Sequence, residues 1–421
     1  MSLARPLCYL HLIVLIVSCF ASAADSDERQ SHSLLVVDDE AVPAAIDELM
    51  ANWSIAVRVD GERKEVVKSD YVLWGRYADH ARLSQLLLSD GTLLVGDLVR
   101  IERDSVTLTS RLWGEIRIDR QFVQACILLS AADPLKRDRE RQALKAVDST
   151  DGVHLLNGDV VTGKLLPTTE RDSGGLFGLV SLGVESSNNG ARTSIRAEEV
   201  RAITFNTRVH RTPQAECLLG FRDGSFIAAS RLTRTEPTLT QITTVAGALL
   251  QLPTSKLQES ITFIQPQSDS VTYLSDLPAI GYKSIPFLDL KWPLGVAKNT
   301  LGGRLRSDGT IVFKGLGMHS ISRVAYALNG KYRQFQAELA LDDHANRQGS
   351  VVYQVLVEQK NEAGERTWTL AFTSSIIRGG DSPLSITIDV TEARRLALVV
   401  EMADRADTRD YANWLNARLL R

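Results

Sequence analysis

Lys314-Gly-Leu-Gly-Met-His319, Tyr326-Ala-Leu328, Asn329-Gly330 and Gln334-Phe-Gln-Ala-Glu-Leu-Ala-Leu341, ending at Asp342-Asp343, form the stretch from which the fold is read. Strict alternation sends Phe335, Ala337, Leu339 and Leu341 to one face of a strand and Gln334, Gln336 and Glu338 to the other. Asn329-Gly330 lies between two strand-like runs and predicts a hairpin, because a type I′ turn needs positive φ at both central residues. Gly315, Gly317 and His319 read as a loop feeding the first strand of that hairpin.

Working outward, the chain after the polar connector Pro266-Gln-Ser-Asp-Ser270 reads as one β-rich domain, residues 267–421. Alternation recurs in 351–357, 385–390 and 395–402, and roughly 150 residues suffice to bury a two-sheet core. Upstream there is an internal repeat. Asp90-Gly-Thr-Leu-Leu-Val-Gly96 matches Asn157-Gly-Asp-Val-Val-Thr-Gly163 and, more weakly, Asp223-Gly-Ser-Phe-Ile-Ala-Ala229. The copies recur about every 67 residues, and each closes on an apolar run. They predict small bent sheets or half-open barrels stacked in series, over 81–132, 150–212 and 213–266, with a weak likeness to SH3-like or Sm-like barrels. Between the first two copies, residues 133–149 predict an exposed linker helix with Asp133 as N-cap and Pro134 at N1. Its charges of both signs read as a solvated face. Residues 24–80 read as an α/β segment, with a helix over Pro43–Trp53 and a hairpin at Asp60-Gly61. The expected fold class is therefore mostly β, with one linker helix.

Residues 1–23 read as a secretory signal peptide. Arg5 gives the basic start, Cys8–Phe20 the apolar run, and Ala21-Ser22-Ala23 the cleavage site. The run is too short to span a bilayer and no later stretch approaches that length, so a secreted, periplasmic or cell-surface protein is expected. The net charge of −3 offers no basic field for nucleic acid. Cleavage leaves Cys126 and Cys217, both in apolar runs, and either a disulfide or two buried thiols satisfies that placement.

Residues 270–421 resemble the NPCBM family of carbohydrate-binding modules. The resemblance rests on Lys314-Gly-Leu-Gly-Met-His319, Tyr326-Ala-Leu328, Gly330-Lys-Tyr-Arg-Gln-Phe335, Asp342-Asp343, Gly349-Ser-Val351 and Asp410-Tyr-Ala-Asn-Trp-Leu-Asn-Ala417. Two positions depart from the family pattern: Tyr411 stands for a histidine and Asn413 for an aspartate. The resemblance implies a galactose-binding-like jelly roll whose loops bind glycan, and a structural calcium for which Asp342 and Asp343 would supply oxygens. A sugar presents hydroxyls around an apolar ring face, so its site needs planar polar side chains beside an aromatic. His319, Asp342, Asp343, Asn413 and Trp414 are the candidate ligand residues, with alternation leaving Trp414 on the polar face of its strand.

No His-Glu-x-x-His, Gly-x-Ser-x-Gly, Cys-x-x-Cys or phosphate-binding glycine loop is present. The expectation is a secreted, non-catalytic protein that binds glycan through its C-terminal sandwich, with the repeats as spacers or protein-binding units. The alternatives are a cell-surface assembly protein whose sandwich binds protein, and a glycoside hydrolase with an unrecognised site.

Overall fold

The computed structural model describes residues 32–37, 41–79, 84–144, 150–169, 178–186, 189–207, 214–285, 291–360 and 364–421. The expected signal peptide lies outside them.

The N-terminal half is built from four five-stranded units rather than three. Their strands run 32–36, 42–49, 55–59, 62–66 and 71–75; then 85–88, 93–101 (broken at Gly96), 105–110, 114–119 and 123–127. The third unit uses 151–155, 160–165, 181–185, 192–196 and 200–204, and the fourth 217–221, 226–236, 239–244, 249–253 and 261–266. In every unit the last strand returns antiparallel to the first, as in Leu34↔Trp74, Leu86↔Cys126, Val153↔Ile203 and Leu219↔Ile264. All eight of those side chains are buried in one core that runs from Leu34 to Ile264.

The matching turn dipeptides have a common physical basis. Gly91, Gly158 and Gly224 sit at φ 88°, 98° and 88°. The preceding Asp90, Asn157 and Asp223 each accept a bond from the backbone N–H two residues on, at 2.9, 3.0 and 2.8 Å. Gly96 lets two backbones touch, since a Cβ there would lie 2.7 Å from the Thr109 carbonyl oxygen.

The units are not stacked in series. Strand 71–75 of the first pairs with 261–266 of the fourth, 123–127 with 200–204, and Leu93 with Phe226. The expected helix over 43–53 is instead strand Val42–Leu49, held between 32–36 and 55–59. Pairing on both edges overrides the local helical preference. Helix α1, Pro134–Ala143, forms as read, with the Asp133 carboxylate accepting from Lys136 N at 2.7 Å. It is not exposed, however: Arg137, Asp138 and Arg141 are all buried.

The C-terminal half is a two-sheet antiparallel sandwich. One sheet orders strands 295–296, 315–319, 411–420, 334–341 and 384–389, with 271–273 also paired to 411–420. The other orders 281–284, 322–327, 395–402, 350–360 and 366–373, with 377–378 beside 350–360. Met318, Tyr326, Phe335, Tyr353, Leu398 and Trp414 are among the side chains filling the core between them. The hairpin 305–312 covers the outer face of the first sheet, where Leu305 meets Ala340 and Leu415.

Two local readings are corrected. Asn329 and Gly330 do take φ 54° and 67°, yet the strands on either side pair in different sheets. Leu328 and Tyr332 are drawn into the core, so the turn carries the chain across the sandwich instead of closing a hairpin. Gly315–His319 is a strand rather than a loop, paired from Gly315↔Leu415 to His319↔Tyr411. Gly317 allows the neighbouring chain in, because a Cβ would lie 2.5 Å from the Lys298 carbonyl oxygen.

Candidate functional site

Of the five candidate ligand residues, Asp342 and Asn413 come together, but inside the protein. Asp342 Oδ2 accepts from Asn413 Nδ2 (2.9 Å), Arg306 N (3.1 Å) and Asn299 Nδ2 (3.2 Å). Its Oδ1 accepts from His344 Nδ1 (2.6 Å) and His344 N (3.2 Å). That contact with Asp342 raises the pKa of His344 against the effect of its own burial. Asp343 instead closes a neighbouring turn, accepting from Asp308 N and Gly309 N at 2.8 and 3.0 Å.

A calcium ion needs six to eight oxygen lone pairs. The Asp342 and Asp343 oxygens are met by N–H donors, so this pair does not fit the calcium that the resemblance implied. Among the described residues no group of three or more His, Cys, Asp or Glu side chains is arranged around a metal position.

Trp414 is 0% exposed and packs edge-on against Tyr353, with ring centroids 5.0 Å apart. The alternation that placed it outward is broken by a bulge. Gln336 pairs with Arg418 and Glu338 with Leu415, so Asn416 and Ala417 together oppose Ala337, with Asn416 at φ 48°. The bulge puts Ala412, Trp414, Ala417 and Leu419 on the core face.

His319 stands apart from these four, at the end of the sandwich. Its ring stacks on Trp292 with centroids 4.3 Å apart and planes 4° from parallel, and Tyr411 closes the third side at 5.9 Å from both. His319 is buried, whereas Trp292 and Tyr411 are half-exposed. Burial lowers the imidazole to about 4, partly offset by Asp407 and the Ser320 backbone, so the ring is neutral at pH 7. Ser320 and Asp410, the chain neighbours of His319 and Tyr411, are buried, and the Ser320 hydroxyl lies against the Asp410 carboxyl. Burial pushes the Asp410 carboxyl up to about 6, although its Oδ1 accepts from Ser350 N at 2.9 Å. A half-exposed indole beside a tyrosine hydroxyl is what a hydroxylated ring would need. Trp292, just before Pro293, reads from the sequence as a packing residue rather than a ligand residue.

A second polar cluster joins the two halves. Asp79 pairs with Arg137 (3.0 Å), Arg141 (3.0 Å) and Arg306 (3.1 Å), while Asp138 pairs with Arg304 (3.1 Å) and Arg306 (3.0 Å). Burial opposes ionisation of Asp79, but the surrounding guanidinium groups outweigh it and hold the carboxyl far below the usual range. This explains why α1 is not a solvated linker: Arg137 and Arg141, one turn apart, face a pair of aspartates. Cys126 and Cys217 are free buried thiols, and burial pushes Cys126 up to about 12. No helix among the described residues is long and apolar enough to cross a membrane.

A Renibacterium salmoninarum protein named "Putative endo-alpha-N-acetylgalactosaminidase" is 26% identical over 151 residues, which is 35% of this chain and 9% of that protein's length. The CBM51-2 and INT domains of Clostridium perfringens ZmpB share 22% identity over 43% of this chain and 36% of theirs, with a TM-score of 0.31. The tandem CBM51 modules of a Streptococcus pneumoniae family 98 glycoside hydrolase share 12% over 92% of this chain and 87% of theirs, with a TM-score of 0.29. Residues 270–420 match the family model of the NPCBM/NEW2 domain, and the C-terminal sandwich is a domain of that kind.

Proposed function

We propose that this chain binds carbohydrate without turning it over, at the sandwich end formed by Trp292, Tyr411 and His319. The observation that carries the reading is the half-exposed indole stacked on a neutral imidazole, with the half-exposed Tyr411 closing the third side. A pyranose would lay its apolar face on Trp292 and direct a hydroxyl to the Tyr411 hydroxyl. The position moves from the buried Asp342–Asn413–Trp414 group to the surface beside it. Export through the Ala23 cleavage site and a spacer or protein-binding role for the four N-terminal units complete the proposal.

A glycan array probed with the whole chain tests it. Binding to at least one glycan is expected, with loss in a Trp292→Ala variant that unfolds at the wild-type temperature. Retention of all array binding in that variant would refute the position. One observation favours the protein-binding alternative: strand Arg366–Thr373 lies at a sheet edge and exposes Trp368 and Leu370. A clean array together with capture of a protein partner that Trp368→Ala abolishes would favour it.

A further inference from the structure

Away from the Trp292 end, a cavity of about 810 Å3 opens between the N-terminal units and the outer face of the first sandwich sheet. Its floor is Gln334, Gln336 and Glu338 from strand 334–341, with Asn416 and Arg418 from 411–420. These face outward for opposite reasons: the first three follow ordinary alternation, and the last two are turned out by the bulge at Asn416. Phe263, Ile311 and Phe313 make an apolar end wall, closed above by the Ile311 N to Tyr77 O bond of 2.8 Å.

Such a floor would be expected to be apolar, or fully paired, if it served only to join the two halves. It is neither. Arg418 is 4% exposed and donates from Nε to Gln336 Oε1 at 3.0 Å and from one terminal nitrogen to Asn416 O at 3.1 Å. Its distance to the Glu338 carboxylate is 3.9 Å, too long for a hydrogen bond. Glu338 otherwise meets only Asn416 Nδ2, at 3.4 Å. Gln265, also lining the cavity and 3% exposed, has a buried Oε1 without a partner.

The charges in the lining cancel, with Arg76 and Arg418 against Asp308 and Glu338. A neutral occupant follows. It must bring hydroxyl donors to an under-bonded carboxylate and amide, and acceptors to a guanidinium and an amide N–H, in a space within the range of ligand pockets. We infer that this cavity is a second carbohydrate site, taking a neutral, hydroxyl-rich saccharide segment whose vicinal hydroxyls bridge Glu338 and Arg418 while a ring face lies toward Phe313. The site depends on both halves of the chain and is independent of the Trp292 surface.

The test uses the whole chain and an immobilised panel of neutral tri- to hexasaccharides. Two variants probe the cavity: Glu338→Gln removes the charged acceptor, and Thr387→Trp fills the mouth from an exposed position on strand 384–389. Trp292→Ala serves as the control at the other site. The expected result is at least one saccharide whose affinity falls about ten-fold or more in both cavity variants, with unchanged unfolding temperature, and is kept in Trp292→Ala. Binding that follows Trp292 alone, or no binding to the panel, would overturn the inference.

Discussion

Asp342 and Asp410 are buried carboxylates at the same end of the sandwich, and the protein treats them in opposite ways. Asp342 is surrounded by five N–H donors drawn from four residues. Asp410 receives one N–H, from Ser350 at Oδ1, and otherwise lies against the Ser320 hydroxyl. A buried carboxylate costs stability unless it is bonded, so the first is fully met by the fold and the second is left short of donors. Of the five residues that the sequence nominates for ligand binding, Asp342 and Asp343 are partnered, and Asn413 and Trp414 are packed inside, where Asn413 Oδ1 and Trp414 Nε1 also lack a partner. The surface that remains is the one around His319.

The largest expected effect is at Asp342. Asp342→Ala would leave two asparagine amides, a histidine and the Arg306 N–H without their acceptor, and is expected to cost about 3–5 kcal/mol. Chemical denaturation measures it, and a loss below about 1 kcal/mol would erase the contrast. Asp79→Ala uncovers buried guanidinium groups at the junction and is expected to cost about 3 kcal/mol, with Asp138 left to compensate in part. Trp292→Ala should leave stability within about 1 kcal/mol and reduce glycan affinity about ten-fold, a separation of the two properties that Asp342→Ala cannot show.

Asp410→Asn should act with the opposite sign, raising stability at pH 7 by on the order of 1 kcal/mol, since it removes an ionised carboxyl that is only half partnered. The pH dependence sharpens this. With its folded pKa near 6, above the ordinary carboxylate value, Asp410 favours folding at low pH and loses that contribution as pH rises toward 6. With its folded pKa near 4, below the ordinary imidazole value, His319 favours folding above pH 6.5 and loses that contribution as pH falls toward 4. The slopes oppose each other across one window, so the wild type should be nearly flat between pH 4 and 6.5. Asp410→Asn should unmask the histidine and lose on the order of 1 kcal/mol over that range. Parallel pH profiles for the two proteins would break the pairing of these groups.

Much of the fold was legible because it is written in local chemistry. Asp90-Gly, Asn157-Gly and Asp223-Gly reveal the repeat since side chain and backbone conformation are fixed within four residues. The first unit escaped notice because its second strand, Val42–Leu49, owes its conformation to neighbours on both edges rather than to its own residues. Trp414 was misplaced by one extra residue: a single left-handed position at Asn416 reverses the face of everything before it. The burial of α1 was illegible for another reason. Arg137, Asp138 and Arg141 look solvated until Arg304 and Arg306, more than 160 residues away, are brought against them. Trp292, before Pro293, reads only as packing, because its significance lies in the distant His319 ring that it stacks on.

Strand 411–420 lies in the middle of its sheet and also pairs with 271–273, the first strand of the sandwich. During vectorial synthesis the N-terminal units can complete their pairings while the sandwich still lacks its centre. Strands 315–319 and 334–341 must wait, unpaired on that side, until the final ten residues of the domain have left the ribosome. Such long-range closure slows folding and leaves apolar edges open in the interval. A nascent chain arrested short of residue 411 would therefore carry a finished N-terminal half joined to an unfinished sandwich.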